Sequence, residues 1–361
     1  MNAHPTLGRV ATANGLLLCL ALLGCGGKAS SPSSQEQSAS PQAAGPISLT
    51  LGGYTTPREA YGAILPAFQE HWAKPRKQEL SFKESYLGSG AQARAIAGGF
   101  EADVAALSLE PDLEVIRKAG LISHDWKKVG SHAGVVTRSI VVIGVREGNP
   151  KNIKDWDDLA RPGLNVLTPN VRTSGGARWN IAAVWGAAMR GKTASAKAND
   201  PESATKLLGA ILRNVKNMDA GARESLLQFE RGVGDAIITY ENEILVGQQK
   251  GQKYEYVIPR STILIENPVA LVDRYVDKHG TREVATAFLE FLTTPAAQRI
   301  YAQHGLRPVL GELERELADK YKQPEDLFTI RDLGDWAGTQ SKVFDTGSAY
   351  DRALGLASGG T

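Results

Sequence analysis

The sequence predicts an α/β protein of two lobes built on mostly parallel sheets. Short apolar runs of strand length alternate with segments of helical periodicity along the chain, which is the pattern of βαβ units. Roughly 315 residues follow the N-terminal region, enough for two lobes rather than one. The turns from strand to helix also repeat one composition, small residues with little side chain over the backbone: Thr55-Thr56-Pro57, Gly88-Ser89-Gly90, Ser174-Gly175-Gly176 and Ala220-Gly221-Ala222.

The first residues stand apart. After Arg9 an apolar run from Gly15 to Leu23 is too short to span a bilayer but suits the core of a secretory signal. It closes on Leu22-Leu23-Gly24-Cys25, which resembles the bacterial lipoprotein box, so residues 1–24 are expected to be removed and Cys25 to carry a lipid. Residues 25–45 turn to Ser, Ala, Gln, Pro and Gly and read as a disordered tether. Cys19 and Cys25 are the only cysteines, and processing would leave neither for a disulfide or a thiolate metal site.

From Pro46 to Leu51 the chain reads as a strand, and Thr56 is placed to cap the next helix, with Pro57 in its first turn and Glu59 completing a capping box. Leu80–Tyr86 alternates as a strand and leads through Gly88-Ser89-Gly90 into a helix ending near Gly98-Gly99. A short buried strand is expected within Glu101–Leu109, then a helix over Pro111–Ala119. The β-branched run Ser139–Val145 predicts a strand covered on both faces. After a helical patch at Trp156–Leu159 comes a strand over Leu164–Leu167. Ser174 is a good N-cap for a helix starting near Gly175, whose Ala177, Ile181, Val184, Trp185 and Ala188 form one apolar face. Helices follow over Pro201–Arg213 and from about Ala222 to Gly232. Asp235–Tyr240 reads as a strand, followed by a helix, strands over Tyr254–Pro259 and Val269–Asp273, and a helix over Thr281–Leu292. The tail from Gly311, with a helix around Trp336, is expected to pack across the lobes.

In open α/β sheets such turns gather at the carboxyl edge, where ligands bind. Helix starts offer unpaired amides and the positive end of the helix dipole, and glycine lets an anion touch the backbone. One such loop is weak evidence, but four favour a shared oxyanion pocket. The six histidines, His4, His71, His124, His132, His279 and His304, are scattered, and none has metal-ligand spacing with a carboxylate partner. Ser89 lacks the glycine spacing of a nucleophile elbow, and no phosphate-binding Walker loop or dinucleotide fingerprint is present. A formal charge of +2 with acids and bases interspersed argues against nucleic acid. The residues thus point to a binding protein without metal or cofactor, not an enzyme; an exported hydrolase of sulfate or phosphate esters is the remote alternative.

Asn170-Val171-Arg172-Thr173-Ser174-Gly175-Gly176-Ala177-Arg178-Trp179-Asn180 closely resembles the signature of the periplasmic sulfate- and thiosulfate-binding proteins that serve ABC importers. Tyr54 with Arg58-Glu59, Gly88-Ser89-Gly90, Glu101-Ala102-Asp103-Val104, Gly148-Asn149-Pro150-Lys151, Gly221-Ala222-Arg223 and Glu241-Asn242-Glu243 fall in the family's order. The resemblance implies the type II periplasmic-binding-protein fold, with the ligand cleft between the lobes. It assigns residues 46–136 plus 257–310 to lobe I, 137–256 to lobe II and 311–361 to the C-terminal segment. It also implies a dehydrated dianion held by neutral donors: the amides of Thr55, Ser89, Gly175, Gly176 and Ala222, the hydroxyl of Ser174 and the side chain of Tyr240. Two positions depart from the pattern: Thr55 stands where the family usually has aspartate, and Tyr240 where it has a tryptophan whose indole donates. A phenol can donate or accept, which leaves other tetrahedral oxyanions (phosphate, molybdate or tungstate) as alternatives. Arg58, Arg172, Arg178 and Arg223 are read as supporting or rim residues. The implied partners are a sulfate or thiosulfate anion and ABC permease subunits, with membrane contact only through the lipid and the protein acting as a monomer.

Overall fold

The computed structural model describes residues 45–130 and 132–358. The expected signal segment, Cys25 and nearly all of the tether lie outside the described residues. In chain order the elements are β1 (Ile47–Tyr54), α1 (Arg58–Arg76), β2 (Leu80–Leu87), α2 (Ser89–Ala97), β3 (Val104–Ala106), α3 (Glu110–Lys118), β4 (Val135–Val145), β5 (Val166–Leu167), α4 (Gly175–Met189), α5 (Pro201–Arg213), α6 (Ala222–Glu230), β6 (Ala236–Tyr240), α7 (Glu241–Gln249), β7 (Glu255–Val257), β8 (Ser261–Leu271), α8 (Asp273–His279), α9 (Arg282–Leu292), α10 (Pro295–Gln303), α11 (Gly311–Glu316), β9 (Asp326–Phe328), α12 (Asp335–Thr339) and α13 (Ala349–Ala357).

The strands run in the order β2-β1-β3-β8-β4-β6-β5, with β7 beside β4 and β9 beside β8. β1 is parallel to β2 and β3, β5 to β6, and β8 to β9; the remaining pairings are antiparallel, and each involves β4 or β8. The pairing is therefore evenly mixed where a mostly parallel sheet was expected. The cause is that these two long strands serve both ends of the molecule. Residues up to Ile140 of β4 pair with β8, and from Val141 onward β4 pairs with β6 and then β7. β8 likewise passes from β9 to β4 to β3, with Thr137 opposite Asn267 midway.

Several local expectations change. β8 begins at Ser261, well upstream of the expected Val269, because Asn267-Pro268 reads as a break. Pro268 in fact lies at a register shift opposite Val135, an irregularity of the kind that tolerates proline in a sheet. β1 runs on to Tyr54, which pushes the start of α1 to Arg58 and puts Pro57 at the cap, with no side-chain cap. Thr56 is instead buried. Ser139–Val145 is buried throughout, as expected. α4 is capped by Ser174, whose hydroxyl accepts the Ala177 amide at 3.3 Å, but it is buried nearly all round rather than on one face. The segment before α6 has only a single parallel bridge, Val215 to Val166, in place of a full strand.

Two main cores lie toward opposite ends of the long strands, one taking Val136 and Val269 and the other Val141 and Ile263. One joins Leu49 and Leu51 of β1 to Phe68, Phe288 and Tyr301. The other gathers Trp156, Trp179 and Ile238 with tail residues Phe328, Trp336 and Tyr350. The tail starts against the first core, where the Tyr321 hydroxyl donates to the carbonyls of Ala302 and Leu306. It ends within the second, where α13 lies on α5.

Candidate functional site

The turns singled out in the sequence meet. Gly88 lies between the turns that precede α4 and α6: a Cβ added to it would come 2.6 Å from the Thr173 carbonyl oxygen and 2.9 Å from that of Ala220. Ser89 is the first residue of α2, Gly175 and Gly176 open α4, and Ala222 opens α6. Helix geometry leaves these first-turn amides without intrahelical acceptors. A Cβ on Gly176 would sit 2.8 Å from the Tyr240 ring, 3.2 Å from the Ala222 Cβ and 3.4 Å from Ser174 Oγ. Thr55 joins from the end of β1, 3.7 Å from a Cβ on Gly221. The structure thus brings Thr55, Ser174, Gly175, Gly176, Ala222 and Tyr240 around one spot, and Ser89 joins them through a residue that sequence reasoning missed.

That residue is Ser108, fully buried in the turn from β3 to α3. Its amide donates to Ser89 Oγ (2.8 Å), which donates in turn to Asp112 (2.5 Å). Ser108 Oγ lies 2.6 Å from the Tyr240 hydroxyl, and its carbonyl accepts the Trp179 indole N–H (3.0 Å) and the Asn267 amide (2.9 Å). Only a glycine fits at position 175, since a Cβ there would be 2.5 Å from Ser108 Oγ. Ser108 carries the same signal as the other turns, a hydroxyl between strand and helix. It was hidden because leucines flank it and it reads as part of a buried strand.

A family model described as bacterial extracellular solute-binding protein matches residues 49–307. The chain belongs to this family. Among its relatives, the sulfate-binding protein of Synechococcus elongatus is 41% identical over 334 residues, 92% of each chain. The thiosulfate-binding protein of Escherichia coli K12 is 36% identical over 312 residues, 85% of this chain and 90% of that one. The solved structure of the sulfate-binding protein SubI from Mycobacterium tuberculosis H37Rv superposes with a TM-score of 0.75 at 36% identity, covering 83% of this chain and all of that one. The family binds and delivers solutes; it is not a family of enzymes.

In this solute-binding protein the buried charges around the turns are matched to one another. Arg223 pairs with Glu59 (2.7 Å) and Glu243 (3.1 Å) and donates to the Thr56 carbonyl. Glu59 also receives Lys250 at 2.8 Å. Burial pushes the Glu243 carboxyl up to about 6, against the pull of Arg223. Burial likewise raises Asp112, which the Ser89 hydroxyl partly offsets, and it raises the Tyr240 phenol, keeping it protonated. Arg178 is largely buried against Trp336 and Phe344 and donates to Gln340, so it supports α4 rather than lying solvated. Arg58 sits over the Tyr86 ring, and Arg172 is exposed. The exposed Glu224 carboxylate lies against Gly221, where water screens it. A pocket of about 520 Å³ opens beside Ser174 and Gly175, lined by Arg94, Asp112, Arg178 and Trp336 among others.

Histidines do find carboxylates through the fold, His124 with Asp273 (2.6 Å) and His279 with Asp103 (2.9 Å). The Thr281 hydroxyl nearby bonds Asp103 rather than an imidazole, so the pair activates no nucleophile. Among the described residues no group of His, Cys, Asp or Glu is placed to hold a metal ion, and no helix is long and apolar enough to cross a membrane.

Proposed function

We infer that this protein binds sulfate or thiosulfate outside the cytoplasmic membrane and delivers it to an ABC importer. The observation that carries the reading is the convergence of the starts of α2, α4 and α6 with Tyr240 on one spot lined chiefly by amides and hydroxyls, with the exposed Glu224 carboxylate at its edge beside Gly221. The names of the relatives agree with it. The donors are the amides of Thr55, Ser89, Gly175, Gly176 and Ala222 and the hydroxyls of Ser174 and Tyr240. The lobes are residues 46–136 with 257–310 (lobe I) and residues 137–256 (lobe II) as read from the sequence, except that the start of β8, through Ile265, packs in the core of lobe II, so the hinge lies where β4 and β8 pair at Thr137 and Asn267. Closure brings Gly88 of lobe I under Thr173 and Ala220 of lobe II.

Sulfate is fully ionised near neutral pH and needs donors only, whereas phosphate brings a proton that needs an acceptor. An unmade buried hydrogen bond costs about 1–3 kcal/mol, or about ten- to a hundredfold in affinity. Calorimetric titration with sulfate, thiosulfate, phosphate and molybdate should place sulfate or thiosulfate at least tenfold ahead of phosphate. Equal or tighter phosphate binding would assign the protein to a different oxyanion.

The mature chain begins at Cys25, is anchored by its lipid, and meets the permease subunits as a monomer. Cys25→Ser should release it from membranes or leave it unprocessed; unchanged mass and membrane partition in that variant would refute the anchor.

A further inference from the structure

We propose that Ser108 is a specificity-determining positioning residue, which holds the Tyr240 hydroxyl as a donor and thereby sets the preference for fully ionised over protonated oxyanions. The inference rests on the functional reading above. Ser108 Oγ and the Tyr240 hydroxyl are 2.6 Å apart, and both residues are fully buried. The pair holds two hydroxyl protons, of which one makes the bond between them. Among the described residues Ser108 Oγ has no other hydrogen-bond partner. In the unliganded pair either hydroxyl can donate, but with an anion bound a bond from Tyr240 to Ser108 would strand the serine proton in a buried place, which is costly, whereas a bond from Ser108 to Tyr240 leaves the phenolic proton for the anion. The bond favoured in the anion-bound state therefore runs from Ser108 to Tyr240, with the phenolic proton turned toward the spot shared by Gly176, Ala222 and Ser174.

Asn267 holds the Ser108 backbone in place. Its side-chain oxygen accepts the Thr137 hydroxyl (3.1 Å) and its amide donates to the Ser108 carbonyl (2.9 Å), which fixes which end of the amide is which. A phenol oxygen that already accepts from Ser108 is disfavoured as an acceptor for the proton of hydrogen phosphate. Ser108 itself is fixed through Ser89, Trp179 and Asn267, so its hydroxyl is aimed by both sides of the cleft. The double character of tyrosine, which in the sequence alone leaves selectivity open, is removed by its neighbour.

The test compares sulfate, selenate and phosphate affinities at pH 8 for wild type, Ser108→Ala, Tyr240→Phe and the double variant. Selenate, like sulfate, carries no proton. In Ser108→Ala the sulfate-to-phosphate ratio should fall about tenfold while selenate tracks sulfate. In the Tyr240→Phe background the same substitution should leave the ratio unchanged, because the phenol through which Ser108 acts is gone. Equal weakening of all three anions by Ser108→Ala would reveal a merely structural serine and overturn the proposal, as would a ratio shift that persists in the double variant. Wild type that binds no sulfate would overturn the functional reading itself, a different result from wild type that binds sulfate with a ratio indifferent to Ser108.

Discussion

Gly88 lies directly beneath Thr173, so close that a Cβ on the glycine would stand 2.6 Å from the Thr173 carbonyl oxygen. The glycine's own backbone, at φ −54° and ψ 138°, suits any residue, so the requirement for glycine comes from the approach and not from the turn. Gly88→Ala should leave the open protein as stable as wild type and penalise the closed state. We expect sulfate affinity to fall ten- to a hundredfold with the unliganded melting temperature unchanged, measured by calorimetry and thermal denaturation. Undiminished affinity would mean that these turns do not close on the ligand.

Ser174 allows charge to be separated from capping. Aspartate caps a helix about as well as serine and is favoured by the dipole at that end, so Ser174→Asp should keep α4 and the fold. It places a negative charge beside a dianion, and two like charges about 4 Å apart repel by about 4 kcal/mol at an effective dielectric near 20. Sulfate affinity should drop at least a hundredfold with no loss in melting temperature. Wild-type-like affinity would remove the turn before α4 from the site.

The strand-turn-helix units and the Ser174 cap were legible in the sequence because their cause is local: glycine, proline and hydroxyl residues punctuate apolar runs within a few positions. What was hidden depends on partners far along the chain. Ser108 gains its meaning from Tyr240, 132 residues away. Thr56 reads as a helix cap from its neighbours alone, but β1 continues to Tyr54 and Thr56 is buried. The burial of α4 on all sides follows from the tail, since Gly186 packs against Phe328 and Leu333, and no periodicity within α4 announces that contact. Asn267-Pro268 concealed the length of β8 because its tolerance for proline comes from the register shift opposite Val135.

Glu243 supplies a pH dependence of known sign. Burial raises its carboxyl from 4.5 to about 6 even with Arg223 beside it and Glu59, Glu230 and Thr56 around it. Between those values the folded chain retains a proton that the unfolded chain has released, so this group lowers stability as pH rises from about 4.5 through about 6, and the effect levels off above. The size is on the order of 2 kcal/mol for a shift of this kind. Glu59 works in the opposite sense, since Arg223 and Lys250 hold it below its ordinary value despite burial. Glu243→Gln should therefore lose less stability than wild type between pH 4.5 and 6.5 in urea denaturation. Parallel curves for the two proteins would show that Glu243 is already ionised at the lower pH.

The tail is built into the second core through Trp336, which is 6% exposed and meets Trp179 edge to face with ring centres 4.7 Å apart. Trp179 in turn donates its indole N–H to the Ser108 carbonyl, so a residue of the tail stands two contacts from Ser108 and three from Tyr240. Trp336→Ala deletes a large buried side chain, which costs about 3–5 kcal/mol and should lower the melting temperature by several degrees. It also leaves Trp179 free to shift, and because Ser108 is aimed partly by that indole, sulfate affinity should fall several-fold. Trp336→Phe keeps an aromatic edge and should recover most of both losses. If Trp336→Ala melts like wild type, the tail contributes nothing to this core. If stability falls while affinity holds, the bond from Trp179 to Ser108 needs no support from behind.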